Sequence, residues 1–245
     1  MKKEVTAIVP VLNEAERIGA VLEVLTTSPE IAKVIVVNDG STDSTESIIK
    51  QYNVLLISNK KNLGQAESVK RAVHHVKTGI VLICDGDLIG FKHHHVHQLI
   101  KPVKENGNVM AVASLDKYWH VGIDLLKEKF MLIPITGTRV LLTKYLLGAS
   151  KHNLFTKYGI HPVINAYCRN HGIKLKQISL DGVKDVIKIR KKGYGWMPHI
   201  KETIDVTSVY AQLYLEEAQN FKREKRYKPK RMLKNLVKKV SRVKK

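Results

Sequence analysis

Asp85-Gly86-Asp87 sets two carboxylates one residue apart at the end of the apolar run Ile80 to Cys84. A carboxylate pair of this kind shares a hard divalent cation, and Mg²⁺ or Mn²⁺ so held keeps positions for phosphate oxygens. Gly86 lets the backbone turn and a ligand approach closely. An isolated Asp-x-Asp is also an ordinary strand-end turn, so its company matters. Asn13-Glu14 follows a first apolar run that contains Pro10, and Asn38-Asp39-Gly40-Ser41-Thr42-Asp43 follows a second. Asn62-Leu63-Gly64 precedes a helical pattern. A carboxylate at Asp39 suits the N–H and O–H donors of a base or ribose, and Gly40-Ser41 lead toward a helix N-terminus.

The elements that must position these turns alternate. Val5 to Val11 reads as a buried strand, and Ile18, Val21, Leu22 and Leu25 trace one face of a helix. Val34 to Val37, Val54 to Ile57, Ile80 to Cys84 and Val109 to Ala113 read as further strands. A helix is expected from Gln65 to Val76, and Asp43 with Glu46 predicts a capping box before another. Short apolar strands alternating with helices specify an α/β fold, a mostly parallel sheet covered on both faces. Ligands of such sheets bind beyond the carboxyl ends of strands, where all the polar turns fall. The second half is less regular. Helical patterns cover 122–132, 138–147, 161–171 and 200–221, with a strand at 173–180 and a Lys/Gly-rich loop at 181–198.

Val-Pro-Val-Leu-Asn-Glu (9–14), Val-Val-Asn-Asp-Gly-Ser-Thr-Asp (36–43), Asn-Leu-Gly (62–64) and Asp-Gly-Asp-Leu (85–88) together resemble the ordered signature of family 2 glycosyltransferases. The likeness covers roughly residues 4 to 115. It implies a GT-A fold, a Rossmann-like sheet binding a UDP- or GDP-linked sugar. Pro10, Asn13, Glu14, Asp39, Gly40, Asn62, Gly64, Asp85 and Gly86 would then bind the nucleotide sugar, and Asp85 and Asp87 the metal-diphosphate. The domain would run over 1–221, with a donor half at 1–115 and an acceptor half at 116–221.

A weaker likeness continues into the second half. Thr136-Gly137-Thr138-Arg139 resembles an element of polyprenyl-phosphate sugar synthases, which implies a polyprenyl phosphate acceptor with Lys117 and Arg139 holding its phosphate. Such an acceptor is already anionic at neutral pH, so a strong general base is unnecessary. For a hydroxyl acceptor, His161, which stands where relatives carry an acid, becomes the candidate base. Asp185 falls where relatives place a metal-facing His, and carboxylate suits the same ions. Gln65 departs from the Lys or Gly frequent after the Asn-x-Gly turn. His93 and His97 are four apart, but no H-E-x-x-H motif accompanies them, and a solvated helix start is the expectation. Tyr118, Trp119, Tyr194 and Trp196 fit an acceptor groove or plain packing, and Cys84 an inert core position.

Charge adds a second theme. The 245 residues carry a net +20, of which residues 222–245 hold +12 with 13 Lys/Arg and one acid. Within that tail Met232, Leu233, Leu236, Val237 and Val240 share one helical face and Lys234, Lys238, Lys239 and Arg242 the other. This pattern predicts an in-plane helix on an anionic membrane surface, with a solvated basic end as the alternative. The apolar fraction of 44% and two cysteines exclude a disordered chain and a disulfide scaffold. No run of 18 apolar residues exists, and the N-terminus lacks a signal-peptide core, so a cytoplasmic, peripherally bound enzyme is expected. A soluble enzyme acting on a small phosphorylated acceptor such as 3-phosphoglycerate is the nearest rival. A nucleic-acid-binding protein is permitted by charge alone, but strand-end carboxylates repel phosphates unless metal is bound, so no nucleic acid is expected.

Overall fold

Seven strands form one sheet in the order β3-β2-β1-β4-β6-β5-β7 in a computed structural model. The structure describes residues 4–115, 137–156, 159–184 and 205–217. The strands are β1 (Val5–Val11), β2 (Ile31–Asn38), β3 (Leu55–Ser58), β4 (Ile80–Ile83), β5 (Val109–Leu115), β6 (Arg139–Leu142) and β7 (Lys174–Leu180). The helices are α1 (Ile18–Thr27), α2 (Thr45–Ile49), α3 (Gln65–Val73), α4 (His93–Glu105), α5 (Thr143–Ala149) and α6 (Ile160–Asn170), followed by a helical stretch over 205–217. β1 pairs parallel with β2 on one side and β4 on the other, with Ile8 opposite both Ile35 and Ile83. The chain therefore runs outward from β1 to β3, then reverses to β4. The crevice at that reversal, beyond the carboxyl ends of β1 and β4, is where such sheets bind ligands.

Period-two alternation divides the strands between two apolar layers. On one side Ala7, Val9, Val36, Leu82, Ala111 and Val140 meet α1 and α4 through Val21, Leu22, Val96 and Ile100. On the other, Ile8, Ile35, Val37, Val81, Ile83 and Val112 meet α3, α5, α6 and the 205–217 helix, the last through Val209 and Leu213. The α1 stripe of Ile18, Val21, Leu22 and Leu25 is fully buried, as its spacing requires.

Two local expectations are corrected. The helical pattern over 138–147 divides into β6 and the shorter α5. Arg139 to Leu142 lie antiparallel to β4, with Ile83 opposite Arg139, and β6 also pairs with β5. Sheet pairing on both sides overrides an apolar spacing that equally fits a helix. The Asp43–Glu46 capping box does not form either. Ser44 is the N-cap of α2 without a side-chain bond, and Glu46 accepts instead from Asn38 and Ser58 across the sheet edge. The 122–132 pattern, the Trp and Tyr candidates and the 222–245 tail lie outside the described residues.

Candidate functional site

The loops leaving β1 and β2 are laced together. Asn13, in the left-handed region at φ 54°, donates its N–H to Ser41 Oγ at 2.9 Å and accepts Thr42 N–H on Oδ1 at 2.8 Å. Asn tolerates this conformation better than most residues. Glu14 N–H donates to Thr45 Oγ1 at 2.8 Å, and Ala15 N–H to Asp43 Oδ2 at 3.2 Å. Burial pushes the Asp43 carboxyl up, but the Thr45 hydroxyl and the Thr45 and Ala15 N–H groups outweigh it and lower its pKa. The Glu14 carboxylate is buried and sits 2.8 Å from Arg17 Nε. Pro10 is half-buried, opposite Val37 of β2.

Asp39 binds the next loop. Its buried carboxylate accepts from Asn59 Nδ2 at 2.8 Å, Leu63 N–H at 2.9 Å and Gly64 N–H at 2.8 Å. Gly64, at φ 92°, is the N-cap of α3. Three of roughly four lone-pair positions of the carboxylate are thereby engaged. Gly40, at φ 81°, lets this loop press on the backbone of Lys61, whose carbonyl carbon would lie 2.6 Å from any Cβ there. Asn62 is exposed at the same edge.

Asp85, Gly86 and Asp87 leave β4 beside these loops. Asp85 Oδ2 accepts from Thr138 Oγ1 at 3.1 Å, and the same hydroxyl accepts the Asp85 N–H at 3.2 Å. Asp85 Oδ1 accepts a longer bond from Gln65 Nε2, 3.5 Å. A Cβ on Gly137 would collide with the Asp85 carboxylate, so the glycine leaves the cradle this side chain fills. Gly86 is buried against Val11 and Ile18. Burial first, then the charges of Asp85 and Asp87, push the Cys84 thiol well up, as an inert core cysteine requires. Beyond Asp87, Ile89 and Lys184 exchange backbone bonds of 2.8 and 3.0 Å, which fixes the 181–184 turn against the aspartate loop. Two hard oxygen donors on neighbouring positions, in a cradle shaped by a missing Cβ, fit Mg²⁺ or Mn²⁺. Among the described residues no group of three His, Cys, Asp or Glu side chains stands together to hold a metal ion.

Arg139, the expected phosphate grip, lies at the start of β6. Its side chain is wholly buried on β6, donating to Gly137 O at 3.4 Å and Asn165 Oδ1 at 3.1 Å. Asn165 in turn donates to Tyr210 Oη at 3.3 Å. Burial lowers the guanidinium pKa to about 10, against the opposing pull of Tyr210, Asp85 and Cys168, so it stays charged at neutral pH. The guanidinium is thus enclosed under the sheet edge and engaged by Gly137 and Asn165, whereas the role expected for it is a grip on an acceptor phosphate. His161 is half-buried one turn before Asn165 on the same face of α6. Lys117 and Asp185 lie outside the described residues.

The histidines at the start of α4 are solvated only in part. His93, His94 and His97 are exposed and His95 is buried. His97 Nδ1 meets the buried Glu30 at 2.6 Å, and His93 Nε2 meets Thr27 Oγ1 at 2.8 Å. These bonds tie α4 to the end of α1 and the start of β2. Sequence reasoning left Thr138, Asn165 and Tyr210 without roles of their own and noted Gln65 only as a departure. Only Thr138 and Gln65 carried a signal, as neighbours of singled-out glycines.

Residues 6–164 match the model of glycosyl transferase family 2. With its seven-stranded sheet and strand-end loops in the GT-A arrangement, the chain belongs to that family. It is 31% identical over 148 residues to an uncharacterised protein of Methanocaldococcus jannaschii, over 56% of this chain and 62% of that protein. It is 29% identical over 110 residues to 4,4'-diaponeurosporenoate glycosyltransferase of Staphylococcus aureus, over 43% of this chain and 29% of the enzyme. The chain thus spans less than two thirds of the length of these curated relatives. Glucosyl-3-phosphoglycerate synthase of Mycobacterium tuberculosis with Mg²⁺ and UDP superposes with a TM-score of 0.72 at 16% identity, over 86% of this chain and 79% of that one. Its complex with Mn²⁺, UDP-glucose and glycerol 3-phosphate gives 0.71 at 17%, over 86% and 80%. At this identity the likeness is one of fold.

Proposed function

We propose that the chain transfers a glycosyl group from a UDP- or GDP-linked sugar to an acceptor, with Mg²⁺ or Mn²⁺ as cofactor. The observation that carries this is the meeting of Glu14, Asp39 and the Asp85/Asp87 pair at the reversal between β1 and β4. In this reading Pro10, Asn13, Glu14 and the Asp39–Gly64 turn form the nucleoside pocket. Asp85 and Asp87 hold the cation, and Asp185, next in sequence to the bridged Lys184, completes its ligands. The bound cation would neutralise the leaving nucleoside diphosphate. The complexes of the mycobacterial synthase with UDP and Mg²⁺, and with UDP-glucose and Mn²⁺, support the donor assignment.

The acceptor in this reading is a polyprenyl phosphate, presented at an anionic membrane surface to which the 222–245 tail binds. No helix among the described residues is long and apolar enough to cross a membrane. A second reading, a small phosphorylated acceptor, is favoured by the phosphoglycerate and glycerol-phosphate complexes of the structural neighbour. His161 remains the base if the acceptor offers a hydroxyl.

Native-state ligands raise the unfolding midpoint, so the donor is tested by thermal shift with UDP- and GDP-sugars, with and without Mn²⁺. Metal-dependent stabilisation by one nucleotide series is expected. No shift with any of them would reject the donor site. Radiolabelled transfer to undecaprenyl phosphate against 3-phosphoglycerate then separates the acceptors.

A further inference from the structure

We propose that Thr138 is the positioning residue of the metal aspartate, an inference that rests on the reading of Asp85 as a cation ligand. Thr138 is wholly buried. Its hydroxyl touches Asp85 twice, accepting from the backbone N–H at 3.2 Å and donating to Oδ2 at 3.1 Å. One hydroxyl supplies one donor and two acceptor sites, so both bonds coexist and together fix the carboxylate against its own backbone.

The surrounding strand makes the arrangement rigid. Thr138 O accepts Ala113 N–H at 3.0 Å, which ties the residue to β5, while Arg139 behind it pairs with Ile83 of β4. Gly137 on its other side leaves the space into which the carboxylate folds, since a Cβ there would strike it. The torsion of the Asp85 side chain is therefore set by the start of β6, a strand from the opposite half of the chain. Oδ2 is directed to Thr138, and Oδ1 lies on the side of Gln65 at the start of α3. A carboxylate held in one orientation binds a cation without first losing that freedom, and outer partners of this type typically govern metal affinity by about ten- to a hundredfold.

Mn²⁺ binding by electron paramagnetic resonance, with UDP and with GDP present, reads this without turnover. Wild type, Thr138→Val, Thr138→Ser, Gly137→Ala and Asp85→Asn are compared, with circular dichroism to confirm folding. Thr138→Val should weaken Mn²⁺ by about tenfold or more, Thr138→Ser should restore it to near wild type, and Gly137→Ala should imitate the Val variant. Wild-type affinity in Thr138→Val, while Asp85→Asn loses the ion, would overturn the positioning role and leave the metal reading standing. So would a Ser variant as weak as Val. Unchanged binding in Asp85→Asn would remove the metal reading, and this inference with it. If Thr138→Val fails to fold, the Ser and Gly137→Ala pair decides: a folded Gly137→Ala with wild-type Mn²⁺ affinity overturns the role.

Discussion

Asp87 and Arg139 differ in how far solvent reaches them, and that difference separates what their substitution should do. Asp87 stays half-buried at the loop surface, open to a proposed cation, whereas Arg139 is enclosed completely. Asp87→Asn should therefore remove metal-dependent nucleotide binding and leave the fold intact. Isothermal titration with UDP or GDP and Mn²⁺ checks the first half, and the unfolding midpoint the second. Full turnover of Asp87→Asn in EDTA would end the metal assignment. Arg139→Ala should act on stability. It empties a buried volume and strands the Asn165 amide, at a cost on the order of 2–4 kcal/mol. For a domain of this size that lowers the midpoint by roughly 2–4 °C per kcal/mol. A variant as stable as wild type, but with a raised KM for a phosphate acceptor, would support the phosphate role its motif suggests.

At the scale of elements, the donor half was open to sequence reading because its signals are local. Each of β1, β2 and β4 is an apolar run ending in a polar turn, and each turn lies within a few residues of its strand. The second half hid its contribution in long-range pairing. Nothing adjacent to Arg139 announces that it sits between β4 and β5, and an apolar spacing that fits a helix fits a central strand as well. The Thr138–Asp85 bond joins residues 53 apart, and the Arg139–Asn165–Tyr210 chain spans two helices. The Asp43–Glu46 box misled because Glu46 is engaged by Asn38, Ser58 and Lys50 and not by its own helix end. Glycines were better guides to the loops. Gly40 stands at φ 81° with the Lys61 backbone where a Cβ would be. Gly40→Ala should cost about 1–2 kcal/mol for the left-handed backbone alone, and more for the contact. Because Asp39 carries the Leu63–Gly64 turn, nucleotide-induced stabilisation should fall more than the midpoint of the free protein. A loss confined to the free protein's midpoint would place Gly40 outside the donor pocket.

For the whole molecule, the distribution of charge matters more than its total. Outside 222–245 the chain carries only +8 over 221 residues, while the last 24 hold +12 together with an apolar stripe from Met232 to Val240. A basic residue close to an anionic bilayer contributes roughly 1 kcal/mol at most, and an apolar face adds its own burial at the headgroup boundary. Several such residues would be enough to hold a 27.7 kDa protein at a surface, and counterion screening would make the proposed attachment fall with salt. Deleting 222–245 should abolish co-sedimentation with phosphatidylserine or phosphatidylglycerol vesicles. The same deletion should spare metal-dependent donor binding, because β1, β2 and β4 with their loops lie wholly within the first 115 residues. The full chain should also release from vesicles as NaCl rises from about 0.1 M to 1 M, as the Debye length shrinks from about 10 to 3 Å. Sedimentation unchanged by the deletion would move the membrane contact elsewhere on the protein. A full chain that never binds vesicles, yet glycosylates 3-phosphoglycerate, would replace the lipid acceptor with the soluble one.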